Sequence, residues 1–174
     1  MTPPPAQGTA DPYPKAVEWI RSAPSFHFDI AIGGAKASGD MSRARIGEER
    51  VRFRTKSDEW IAIRKPTGIA WYRNGKRDTN EPELADRVYQ WVTVFPDPDK
   101  SPPATVGTEV VAGEPCDHIR FTNLNSKEAH DVWVSRADNH LVRLKTSFGG
   151  SAFPPVELTI TRPGAPVTIE EPKS

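Results

Sequence analysis

Four large apolar side chains at alternate positions, Phe26, Phe28, Ile30 and Ile32, interleaved with His27, Asp29 and Ala31, constrain this chain more than any other feature. A period of two places all four on one face of a strand, so that strand must lie on a core while its other face meets water. Gly33-Gly34 ends it. The same alternation returns at short intervals. Val51 and Phe53 interleave with Arg50, Arg52 and Arg54, Trp60 to Ile63 forms another β-rich run, and Ile69 to Tyr72 leads into the hairpin turn signal Asn74-Gly75. The last third reads as strands over Val106–Ala112, Cys116–Phe121, Asp131–Ser135, Leu141–Ser147, Val156–Thr161 and Val167–Glu170, most of them separated by turn residues.

Two segments switch to helical spacing. Ala16, Val17, Trp19 and Ile20 recur helically between the prolines at 12 and 14 and Pro24, which predicts a short helix over Tyr13–Ser22. Leu84, Val88, Trp91, Val92 and Phe95 follow the acidic opening Glu81-Pro82-Glu83 and predict a second helix in mid-chain. The proline-rich stretch from 96 to 103 reads as a connecting loop, and residues 1–12 as a disordered lead-in to one domain over 13–172. Strands that succeed one another without crossover helices pair antiparallel. The expected fold is therefore mainly β (α+β): a curved antiparallel sheet forming an unclosed half-barrel, with two or three helices on its concave side.

Composition narrows the function classes. Twenty-three basic residues balance 23 acidic ones, so no global field draws the chain toward nucleic acid or membrane. Cys116 is the one cysteine, which leaves no intramolecular disulfide framework. With His118, His130 and His140 it could supply metal ligands only if all converge, and otherwise it packs as a small hydrophobe. No Gly-x-Ser-x-Gly elbow, phosphate loop or His-Glu-x-x-His is present, and with no βαβ unit the expectation is a protein without enzymatic activity. Between Arg43 and Arg77, eleven basic residues face four acidic ones. That is the solvent side of half-buried strands in the plain reading, or a weak attraction to anionic lipid headgroups; nucleic acid is not expected. The five Trp and seven Phe are the strongest functional hint, because a widely rolled sheet leaves part of an aromatic interior free for a ligand.

The wording of the C-terminal part carries a family resemblance. Val106–Phe121 (VGTEVVAGEPCDHIRF), Asp131–Ser147 (DVWVSRADNHLVRLKTS) and Val156–Pro172 (VELTITRPGAPVTIEEP) resemble the C-terminal half of the lipoprotein-carrier superfamily. That superfamily includes the LolA and LolB carriers, the mycobacterial LppX and LprG lipid-binding lipoproteins, and uncharacterised periplasmic members. The spacing of Gly107, Val111, Gly113, Cys116 and Ile119 is most similar to those uncharacterised members. The N-terminal half agrees in element order. The resemblance implies an exported periplasmic or envelope protein, its export signal removed, whose helices cover a cavity for acyl chains. It implies no catalytic residues and no cofactor. The expected partner is a lipid or acyl chain, or a membrane-anchored lipoprotein, bound by a monomer. The expected lining is Phe28, Ile30, Phe53, Trp71, Val88, Trp91 and Trp133. The alternative is a ligand-free module that docks an envelope protein.

Overall fold

In the computed structural model, which describes residues 12–80, 82–94, 103–123, 128–148 and 154–173, the alternating segments join into one eleven-stranded antiparallel sheet. The expectations for the lead-in and for most of the proline-rich loop lie outside the described residues. The strand Ser25–Ile32 (β1) sits in the middle, where its four apolar side chains are buried as expected. From it the chain meanders outward through β2 (Ala35–Arg43), β3 (Glu49–Arg54), β4 (Glu59–Lys65), β5 (Gly68–Arg73) and the short edge strand β6 (Lys76–Asp78). It then crosses to the far edge at β7 (Ala104–Val111) and returns through β8 (Glu114–Asn123), β9 (Glu128–Ser135), β10 (Leu141–Phe148) and β11 (Val156–Thr161). The strand β11 pairs with β1, while β6 and β7 remain separate edges, so the sheet is unclosed.

The crossing explains the second helix. To leave one edge and start again at the other, the chain must traverse a face of the sheet, and α2 (Glu83–Thr93) does so with Ala85, Val88, Tyr89 and Val92 buried. The first helix, α1 (Pro12–Ser22), buries Tyr13, Ala16 and Ile20. It packs on β9 and β10, whereas α2 packs on β1. Together they cover the concave face.

Two expectations need correction. The strand β2 was not anticipated, because Ala35, Ala37, Gly39 and Met41 supply its inward face with little apolar bulk. Its small residues are dictated by its neighbours: Gly39 stands in register between Phe28 of β1 and Phe53 of β3. The predicted strand over Val167–Glu170 belongs to no ladder. That segment instead runs against the outer face of β3–β5, where the Arg50 guanidinium donates to the Ile169 carbonyl (2.8 Å) and Glu171 takes up Lys65 (2.6 Å) and Tyr72. Its alternation marks a side chain pressed onto the sheet, Ile169 being buried, with no strand pairing involved.

Candidate functional site: the apolar layer between sheet and helices

The concave face is lined by the in-register series Trp71, Ala62, Val51, Met41, Phe26 on one side of the midline and Phe28, Ile160 or Ile30, Leu158, Leu144 on the other. All ten lie in one buried cluster with the inward residues of both helices. Six of the seven expected lining residues belong to this layer: Phe28, Ile30, Phe53, Trp71 and Val88 are buried in it, and Trp91 packs against it partly exposed. Edge-on packing of Trp71 against Tyr89 joins the sheet to α2 (centroids 6.0 Å apart).

Trp133 stands elsewhere. Inward positions on β9 are His130, Val132 and Val134, so Trp133 points to the opposite face. There it packs with Val111, Cys116 and Val142, stacks on His118 (4.5 Å), and lies under the cations of Arg143 and Lys145. Its indole N–H donates to Glu109. The strand is buried on both faces along much of its length, and such a pattern hides its phase. Cys116 and His118 share that outer face, while His130 faces inward, so the cysteine and histidines do not converge. Among the described residues no group of three His, Cys, Asp or Glu could hold a metal ion. Burial pushes the Cys116 thiol up, away from a reactive thiolate.

The two helices are held differently. Arg43, buried at the end of β2, donates from Nη1 to the carbonyl oxygens of Ile20 (2.9 Å) and Arg21 (2.7 Å), and from Nε to Glu49 (3.0 Å). A cation on the last carbonyls satisfies orphan acceptors and complements the helix dipole, so α1 is tethered at its C-terminus. Aromatic contacts hold its flank, with Tyr13 edge-on to Phe121 (5.1 Å) and Trp19 against His140 (5.6 Å). By contrast, the side-chain hydrogen bonds described for α2 are internal: Arg87 to Glu83, Gln90 to Asp86, and Thr93 to the Tyr89 carbonyl. Its N-terminus has no side-chain cap. Among the described residues no side-chain hydrogen bond or ion pair ties it to the sheet, and apolar packing holds it there. Beneath it runs a closed seam, too tight to admit a water molecule, lined by Ile30, Ile32, Ala35, Ala37, Leu84 and Val88, with Lys36 at its lip. Ala35, Ala37 and Leu84 were not anticipated as lining; Leu84 sits four residues before Val88, and that spacing was the available signal.

No family model matches the chain, and no curated protein is similar to it in sequence. Solved structures share its fold. LprF from Mycobacterium bovis is 13% identical with a TM-score of 0.60, over 94% of this chain and 96% of that one. The Mycobacterium tuberculosis lipoprotein LppX is 15% identical with a TM-score of 0.60, over 91% and 96%. MucB is 18% identical with a TM-score of 0.58, over 94% of this chain and 62% of its own; MucB of Pseudomonas aeruginosa is also known in complex with MucA. The chain thus has the LppX-like half-barrel fold anticipated from its C-terminal wording.

Proposed function

We propose that this is a non-enzymatic, extracytoplasmic binding protein of the cell envelope that takes a lipid or acyl chain between α2 and the concave sheet. The observation that carries the reading is the seam under α2. It is closed as it stands, but it is apolar on both walls, its lip lies beside the cation of Lys36, and the helix above it has no side-chain hydrogen bond or ion pair to the sheet among the described residues. A helix held by apolar contact can exchange those contacts for the methylenes of a ligand, each worth about 0.8 kcal/mol when buried. The lysine at the lip suits an anionic head group. Outward movement of α2 widens the seam to the thickness of a chain while α1 stays tethered through Arg43.

The test is native mass spectrometry of freshly purified protein, organic extraction of what leaves with it, and titration of stripped protein with a fluorescent fatty acid. A co-purified lipid near unit stoichiometry, or saturable uptake displaced by phospholipid, is the expected result. A clean apo mass with no uptake removes this reading.

A second reading has its own support. The edge strand β7 exposes Val106 and Val110 beside an unpaired backbone ladder, a surface to which another chain can add a strand. MucB, of the same fold, forms a complex with MucA. If no lipid is taken up, protein capture through this edge becomes the leading function.

A further inference from the structure

We propose that a basic cleft at the β2–β3 turn docks the protein onto the anionic surface of a phospholipid bilayer, with Ile46 entering the headgroup layer. The cleft has a volume of about 1250 Å³ and lies between the β2–β3 loop, the ends of β3 and β4, and the C-terminal segment around Gly164–Glu171. Five cations line it: Arg43, Arg45, Arg50, Arg64 and Lys65. Their partners are unequal. Arg43 is spent on Glu49 and α1, Arg45 pairs with Glu48 (2.6 Å), and Lys65 pairs with Glu171 (2.6 Å). Arg50 donates to a neutral carbonyl, and Arg64 has no hydrogen bond or ion pair among the described residues. Two guanidinium groups therefore face the cleft without a direct carboxylate contact, Glu171 acting on Arg50 only through space. The two exposed pairs are also weak enough to be traded for phosphates.

The loop adds an apolar tip. Ile46 is 80% exposed, the highest among the large apolar side chains described, and it sits between Arg45 and the turn at Gly47 (φ 89°). One exposed isoleucine alone means little. In a cleft where five cations outnumber Glu48 and Glu171, it has the makings of an interfacial anchor: the side chain settles among acyl-chain ends while arginines reach lipid phosphates. No aromatic side chain lines the cleft, so it offers no surface for stacking nucleic-acid bases. Five of the eleven basic residues between 43 and 77 thus gather in one place in the fold. The site does not depend on what lies beneath α2, because the seam lies at the other end of the strands, beside the β1–β2 turn.

The experiment is co-sedimentation with vesicles of phosphatidylcholine, with and without phosphatidylglycerol, across a salt series. The expected result is partition to the anionic vesicles only, weakening as salt rises. Reversing one cation near an anionic surface removes two unit charges of attraction, so Arg64→Glu should lower partition about tenfold to thirtyfold. Ile46→Asp should lower it comparably, and Lys56→Glu, in the β3–β4 turn at the other end of the strands, should leave it unchanged. All three altered side chains are exposed, so melting curves should match the parent. Equal binding to neutral vesicles, or an Arg64→Glu protein that sediments like the parent, overturns the proposal. So does binding of inorganic phosphate by calorimetry without vesicle binding, which would make the cleft a site for free anions. Fatty-acid uptake measured on the same variants keeps this outcome separate from the lipid-carrier reading.

Discussion

At the scale of single residues, two buried positions set terms that the rest of the fold must meet. His130 is 1% exposed on the concave side, stacked on Phe121 (4.7 Å) and bonded through Nδ1 to Thr146 (2.9 Å). Burial holds its pKa below the usual 6.5, although Glu128 and, more weakly, Asp131 pull the other way. The folded state therefore favours the neutral ring. As pH falls below 6.5 the unfolded chain binds a proton that the folded one refuses, so stability should decline from there toward the lower folded value. Melting temperatures across pH 7.5 to 5 should show this slope, and His130→Phe should reduce it; an unchanged slope would assign the effect to other groups. Gly39 sets a steric term. A Cβ built there falls 2.6 Å from the Phe53 Cα, which is backbone and cannot swing aside. Gly39→Ala must push β2 away from β3 and should cost about 3 kcal/mol or more by denaturant unfolding.

At the scale of elements, α1 and β2 are joined by one side chain. Removing Arg43 leaves Glu49 nearly buried without its cation and the carbonyls of Ile20 and Arg21 without their donor. Loss of one partner of a buried pair costs roughly 3–5 kcal/mol, so Arg43→Met should be strongly destabilised, while Arg43→Met with Glu49→Leu should recover much of the loss. Hydrogen exchange should locate the single variant's effect in the last turn of α1. None of this was legible in the sequence, which shows Arg43 only as one cation in a basic run. What the sequence did show follows from how side chains reveal their faces. Alternation exposed β1 because large apolar and polar residues take turns there, and helical spacing exposed both helices. β2 stayed hidden because the partners that need its small residues, Phe28 and Phe53, are neighbours only after folding. The same limit hid the phase of Trp133, on a strand with apolar side chains toward both faces.

At the scale of the whole molecule, the topology decides where a ligand can enter. The meander from β1 to β6 and the return from β7 to β11 are each held by continuous ladders, and β1–β11 pairing locks the two halves together. The connection between them across the concave face is different: α2 rests on β1 by apolar contact and is the part of the cover with least to lose by moving. The apolar layer itself was foreseeable from the aromatic content, but the seam was not, because it depends on Ala35 and Ala37 of the hidden strand. That dependence supplies a test with a clear sign. Ala37 lines the seam, which has no room for even a water molecule, so a larger aliphatic side chain there must press α2 away from the sheet. Ala37→Leu should therefore lower stability by about 1–3 kcal/mol through overpacking, while leaving the ladder that pairs Ala37 with Ile30 in place. If the ligand slides beneath α2, that leucine occupies its path, and fatty-acid uptake should fall at least tenfold, the loss of about two buried methylenes' worth of contact. If uptake persists undiminished in a variant that still melts cooperatively, the ligand enters elsewhere, and α2 is a fixed strut whose lack of polar ties has no bearing on binding.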